Sequence, residues 1–392
     1  MKRQPLDAVL AELDQQHLTR RRTTIDGFVE PGNRTVTASD GRVLVDFSGN
    51  DYLGLAHHPA IAAAMSVCAQ RYGAGSGASH LVTGHGIEHE RLEEDLAAYT
   101  GRERALLFST GYMANLGVMT ALAGRGESVL LDRLSHASLI DGALLSGARF
   151  KRYAHADAAA AERLLDEDAA VVATDGVFSM DGDVAPLEDL ARVSKARAAW
   201  LVVDDAHGLG VLGKTGRGST EHLSANEVPV LVGTLGKAFG SFGAFVAGSR
   251  DLVELLIQKA RPYIYTTALP QPVAAATRKA LAIAQEEPWR REHVLALTAR
   301  FRAAAGAAGL PLLESTTPIQ PVILGSSAAA LQAQRELLDA GLRVVAIRAP
   351  TVPRGSERLR VTLSASHTEK QVDALVERLS EAHSRFAKGH EA

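Results

Sequence analysis

A chain of 392 residues with 46% hydrophobic and 22% charged side chains has the composition of a large folded protein and excludes a disordered one. Its formal net charge of -3 leaves no basic excess for a nucleic-acid partner, and no apolar run reaches the length of a membrane span. The single cysteine, Cys68, excludes an internal disulfide and reads, within AIAAAMSVCAQ, as a small core residue.

The chain opens on MKRQPLDAVLAELDQQHL, an amphipathic helix pattern carrying Asp7, Glu12 and Asp14. It matches neither a secretory signal nor an acid-poor transit peptide, so a cytoplasmic protein is expected, with residues 1–45 as an N-terminal helix and arm. Next come helix GIEHERLEEDLAAYT, strand ALLFS, helix ANLGVMTALAG, strand SVLLD, helix HASLIDGALLSG, strand AAVVATD and helix PLEDLARVSKARA, then strands AWLVVDD, PVLVGT and AFVAG. Apolar strands alternating with helices predict an α/β domain over residues 46–290, its mainly parallel sheet covered on both faces. QEEPWRREHVLALTARF reads as a long polar-faced helix leading out of it. PVILG, SAAALQAQRELLDAGL, VVAIRAP, RLRVTLS and TEKQVDALVERLSEAHSRF then predict a small α+β domain over residues 291–392.

Two motif matches do not survive their context. Gly208 to Thr215 fits the phosphate-loop pattern G-x-x-x-x-G-K-T and also G-x-G-x-x-G, but Gly216, Arg217 and Gly218 follow where a phosphate loop must run into a helix. His85 and His89 have the spacing of two metal ligands on one helix face, yet no zincin glutamate follows His85 and the sequence offers no clear third ligand.

Lys237, in GTLGKAFGSFG, is the only charged side chain between Glu227 and Arg250. It fits a turn lysine reaching solvent, a point charge for a phosphate, or a desolvated amine. Asp204 tips the balance toward the third, because it leaves the apolar strand AWLVVDD at the carboxyl edge where open α/β sheets bind ligands. A desolvated lysine and an aspartate on neighbouring strand ends are what pyridoxal phosphate requires: an amine for the Schiff base and a carboxylate for the pyridine nitrogen. Phe108 to Asn115, FSTGYMAN, offers a helix N-terminus to the phosphate, Thr234 adds a hydroxyl, and His136 offers a flat ring.

Taken together, DDAHGLG, GTLGKAFGSFG, STGYMAN, DRLSHASLIDG, TDGVFSMDGD and PTVPRGSERLRVTLSASH resemble the α-oxoamine synthases, which are fold-type I pyridoxal-phosphate enzymes. The resemblance spans nearly the whole chain. It implies a large domain with a mainly parallel seven-stranded sheet, a small α+β C-terminal domain, and decarboxylative condensation of an amino acid with an acyl thioester. It assigns the Schiff base to Lys237, the pyridine nitrogen to Asp204, ring stacking to His136 and the phenolic oxygen to His207, the four catalytic residues. Ser179 joins the cofactor shell, Gly111 and Tyr112 give backbone amides, and Thr234 lies by the phosphate. Arg20, Asn50, Thr351 and Arg360 match substrate-contacting positions. Arg360 is expected to clamp the amino-acid carboxylate, a task its strand neighbour Arg358 could share. The family's homodimers share active sites, which implies an obligate dimer with Thr266 reaching the phosphate from the partner chain. Relatives use glycine with succinyl- or acetyl-CoA, or serine with palmitoyl-CoA. Here Ser79 stands where some relatives carry threonine and leaves room for a methyl group, so L-alanine and a pimeloyl thioester of coenzyme A or a carrier protein are expected. His80 departs from the arginine or glycine expected beside it, and no metal is expected.

Overall fold

Seven strands form the central sheet, in the spatial order Arg104–Phe108, Ala244–Gly248, Val230–Thr234, Trp200–Asp204, Ala169–Asp175, Ser128–Asp132, Arg149–Tyr153. The computed structural model describes residues 5–16, 18–20, 22–29 and 34–389, with side chains to 385. Ala244–Gly248 runs antiparallel to both neighbours and every other pairing is parallel.

Alternation of side chains divides the strand residues between two cores. Val202, Val171, Ala173, Val129 and Leu131 face one core, which the helices Gly111–Leu122, Ala137–Ser146 and Arg250–Lys259 complete. Leu201, Val203, Val172 and Leu130 face the other, which Ala158–Leu164 and Leu187–Ala196 complete. Each fully buried valine or leucine contributes roughly 1.5–3 kcal/mol, and burial on both faces is why these strands read as continuous apolar runs.

Arg149–Tyr153 escapes sequence reading because RFKRY is charged. It is one of the two edge strands, and its cations pair outward, Arg149 with Asp168 at 2.8 Å and Lys151 with Asp166 at 2.9 Å. Charge on an edge strand blocks pairing with another chain. Gly142 lets two helices approach closely: a Cβ there would lie 2.8 Å from the Met119 side chain and 3.2 Å from the Asn115 carbonyl oxygen.

Residues 50–295, with 315–317, form one compact unit that contains this sheet. The described residues up to 49, with 296–314 and those from 318 onward, form a second. The second unit holds two small sheets. One orders Ile319–Ile323, Arg358–Thr362 and Val345–Ile347; the other joins Ile25–Phe28, Thr35–Ala38 and Val43–Asp46 to Leu342–Arg343. The last of these pairs in parallel with Val43–Asp46, so the arm expected over residues 1–45 shares a sheet with the C-terminal segment. The helix Leu6–Gln15 buries none of its residues.

Candidate active site

Within the first unit, parallel pairing sets Asp175 and Asp204 side by side at the carboxyl ends of adjacent strands, and the next strand ends at Thr234, three residues before Lys237. Both aspartates are buried. Burial, and after it the Asp204 charge, pushes the Asp175 carboxyl well above the usual range.

Asp204 Oδ1 accepts from the Ala206 amide at 3.1 Å, and its Oδ2 accepts from Asn115 Nδ2 at 2.6 Å. The same Nδ2 donates its other proton to Ser138 Oγ at 2.8 Å. The Ser138 amide donates to His136 Nδ1 at 3.3 Å, so Ser138 Oγ, 2.7 Å from the same nitrogen, turns its own proton to it. His136 Nδ1 therefore accepts, and the neutral ring carries its proton on Nε2. Burial, the largest influence, lowers the His136 pKa, Asp204 opposes it and Lys237 reinforces it. The backbone fixes the same residue, whose amide donates to Asp175 Oδ2 at 2.9 Å. A neutral, oriented imidazole is thus presented beside Asp204.

Lys237 is half-buried, with Nζ 2.9 Å from His207 Nε2. His207 Nδ1 lies 2.7 Å from the hydroxyl of buried Tyr52, which lies 3.3 Å from Asn50 Oδ1. One polarity satisfies the chain: Lys237 donates to Nε2, Nδ1–H donates to Tyr52, and Tyr52 donates to Asn50. The amine is thereby held at the sheet edge by groups that accept from it in turn.

The other residues expected at the cofactor lie on a helix terminus, a strand end and a hairpin. Thr110 caps the helix Gly111–Leu122, its Oγ1 accepting from the Met113 amide at 3.2 Å, and the direction of an added Cβ at Gly111 meets nothing within 4 Å. That leaves an open helix N-terminus suited to an anion. Tyr112 turns its phenol outward to Asp141. Thr234 Oγ1 donates to the Gly243 carbonyl at 3.2 Å, and Ser179 sits half-buried on a hairpin closed by the Val177–Val184 bridge. An amine, a buried carboxylate one strand away, a neutral ring and an anion-binding helix terminus are the donor set that pyridoxal phosphate needs.

Ser79 precedes a π-helical turn, His80–Gly84, and its segment is tied to that of Thr266. The Ala268 amide donates to the Ala78 carbonyl at 3.0 Å, while Ser76 Oγ and His89 Nε2 donate to the Leu269 carbonyl at 2.8 and 2.6 Å. His80 supplies the third imidazole that the HGIEH spacing lacked, with ring nitrogens of His80, His85 and His89 within 4.8 Å. These rings are already committed. His89 Nδ1 accepts from the Gly86 amide at 2.9 Å, and His85 spans His80 at 2.8 Å and Glu90 at 2.9 Å. Burial lowers the His80 pKa to about 3, which keeps it neutral.

The phosphate-loop mimic is occupied by the protein itself. Glu221 accepts from the Thr215 amide and hydroxyl at 2.9 and 2.8 Å and from the Arg217 amide at 3.1 Å, where a phosphate would have to sit. Gly208 makes room for Asp205, whose carboxyl accepts from the Ser219 amide and hydroxyl at 2.8 Å each; a Cβ on Gly208, or on Gly176 or Gly218 outside the motif, would collide with that carboxyl.

The remaining candidates belong to the second unit. Arg20 and Thr351 line one cavity of about 990 Å³ with Arg22, Arg335, Arg343 and Arg348. Arg358 and Arg360 are both buried on Arg358–Thr362, and Arg358 Nε donates to the Ser356 carbonyl at 2.8 Å. Sequence reading missed Tyr52, Asn115, Ser138 and Asp175. Asn115 had a signal, a lone amide on the apolar face of ANLGVMTAL, and so did Asp175, which ends VVATD as Asp204 ends its own strand.

A family model for class I and II aminotransferases matches residues 42–379. The 8-amino-7-oxononanoate synthase of Methylococcus capsulatus is 58% identical over 96% of this chain and 97% of its own, and that of Cellvibrio japonicus 57% over 96% and 95%. Among solved structures, a serine palmitoyltransferase from S. paucimobilis with bound PLP superposes with a TM-score of 0.91 at 30% identity over 97% of each chain. The 8-amino-7-oxononanoate synthase of Francisella tularensis superposes with 0.77 at 32% identity, over 86% of this chain and 97% of that one. The chain belongs to the class I and II aminotransferase family, in its α-oxoamine synthase branch beside the 8-amino-7-oxononanoate synthases, and is a pyridoxal-phosphate-dependent C-acyltransferase.

Proposed function

We propose that this chain joins L-alanine to a pimeloyl thioester, releasing carbon dioxide and the thiol, to make 8-amino-7-oxononanoate for biotin assembly. The product dictates the reactants. Its acid and ketone carbons are those of a seven-carbon diacid, and its amino-bearing carbon and methyl group are what alanine retains once its carboxylate departs. The observation that carries the reading is the Lys237 amine seated on His207, one strand from an Asp204 held by Asn115.

When bound, pyridoxal phosphate supplies a carbonyl for the amine and a protonated ring that takes up the electrons released at the amino-acid α-carbon. Lys237, Asp204, His136, His207, Ser179 and Thr234 would hold it, with the Gly111 and Tyr112 amides on the phosphate. Lys237 would be the base for the α-proton, and His207 holds its Nζ in position. Neutral His136 would stack on the ring without adding a charge that competes with Asp204. Asn50, Ser79, Arg20, Thr351 and Arg360 are assigned to the substrates, Arg360 to the alanine carboxylate and Ser79 to the methyl group.

The working form is a cytoplasmic homodimer in which Thr266 of one copy serves the phosphate site of the other. Among the described residues no helix is long and apolar enough to cross a membrane. A substrate panel read by free-thiol release tests the assignment: alanine with pimeloyl-CoA or its carrier-protein ester is expected to lead. Far higher efficiency for glycine with acetyl-CoA would overturn it.

A further inference from the structure

Two loops that carry cofactor residues meet at a half-buried histidine outside the site. Asp132 ends its strand fully buried, its Oδ1 accepting from the Leu134 amide at 2.7 Å and its Oδ2 from the Ala156 amide at 2.8 Å. It thereby closes the turn that delivers His136. Asp183 ends the hairpin that delivers Ser179; the Phe178 amide donates to the Asp183 carbonyl at 3.0 Å and the Gly182 amide to that of Phe178 at 2.8 Å. The hydroxyls of Ser315 and Thr317 hold the Gly182 carbonyl from the other side, at 2.8 and 2.9 Å.

His155 stands between the two carboxylates. Its Nδ1 lies 3.0 Å from Asp132 Oδ1 and its Nε2 2.8 Å from Asp183 Oδ2, with its edge on the Phe178 ring at 4.4 Å between centroids. Carboxylates only accept, so the ring donates at both nitrogens and is an imidazolium. Burial opposes the charge, but the two carboxylates outweigh it and raise the His155 pKa to about 10. The other titratable groups acting on this cluster are Tyr153 and Asp175, on which burial, with help from Asp132, retains the protons.

We propose that His155 is a positioning residue for the cofactor site, a charged bridge that fixes the Ser179 hairpin against the turn carrying His136. This rests on the reading of His136 and Ser179 as cofactor contacts. A neutral side chain at 155 would leave the buried Asp132 carboxylate and the half-buried one of Asp183 facing each other without a cation between them, and both loops would loosen together.

The test titrates the full-length chain with pyridoxal phosphate, reading visible absorption, for wild type, His155→Gln and His136→Ala. Both variants are expected to bind about tenfold more weakly. Wild-type affinity in His155→Gln, beside weakened His136→Ala, would overturn the bridge alone. Wild-type affinity in both would remove the underlying reading and the proposal with it. Should His155→Gln not fold, ring carbon–proton shifts of the native chain decide: a ring still charged at pH 8 supports the bridge, and titration near the ordinary histidine value of 6.5 overturns it.

Discussion

At the scale of single residues, the Lys237 site depends on groups that never touch the substrate. Tyr52 is joined to His207 across 155 positions of sequence, and its hydroxyl, which takes the Nδ1 proton, leaves Nε2 to accept from the lysine. Tyr52→Phe keeps the ring and removes the hydroxyl that faces His207 Nδ1. We expect kcat to fall about tenfold with the visible cofactor band retained, as measured by steady-state turnover and absorption; unchanged kcat would show that the Tyr52 hydroxyl does not orient His207. Lys237 and Asp204 were legible in sequence because each is a charge against an apolar background. Tyr52 and Ser138 were not, since their roles arise from contacts such as Tyr52 to His207 that no local pattern encodes, and the lone amide of Asn115 marked a position but not its partner Asp204, 89 positions away.

At the scale of elements, two packing features carry their own tests. Glu93, on the helix Ile87–Thr100, is buried and accepts from the Leu107 amide at 2.9 Å, so it fastens the helix to the strand Arg104–Phe108. Burial, the largest influence, raises its pKa from 4.5 to about 8 against the opposing pull of that hydrogen bond. A carboxyl whose folded pKa is raised binds its proton more tightly when folded. Its contribution to stability is full below 4.5 and is lost as pH rises through about 8. Glu93→Gln keeps the acceptor and cannot ionise, so urea unfolding should find it level with wild type in acid and increasingly more stable toward about pH 9. Gly142→Ala tests the close helix pair: the new methyl presses on Met119 and the Asn115 carbonyl, and about 1–3 kcal/mol of destabilisation is expected in the same assay. The buried strands were legible because they are apolar on both faces. The edge strand RFKRY was hidden by the charges that protect it, and the three N-terminal strands of four residues each were too short to stand out.

For the whole molecule, the order of helices and strands in GIEHERLEEDLAAYT to AFVAG carried the sheet, while the pairing of Val43–Asp46 with Leu342–Arg343 is a long-range contact that a chain-order reading leaves open. Assembly is the further step, and the surface of the first unit argues for it. Leu81 and Val82 are 51% and 72% exposed in the turn after Ser79, and Tyr265, beside Thr266, is 72% exposed. The segments that carry them are joined by the Ala268 to Ala78 hydrogen bond, so the exposed side chains flank the two residues proposed to serve a shared site. Water contact at large apolar side chains so grouped is unfavourable, and a second copy of the chain would relieve it. If that copy also brings Thr266 to the phosphate, dissociation removes a cofactor contact along with the interface. Val82→Asp is therefore expected to sediment as a monomer, to bind pyridoxal phosphate at least tenfold more weakly and to lose turnover, while wild-type activity per chain falls on dilution through the dimer dissociation constant. A Val82→Asp protein that stays dimeric would place the interface elsewhere, and a monomer that keeps full cofactor affinity would deny Thr266 its role across the interface.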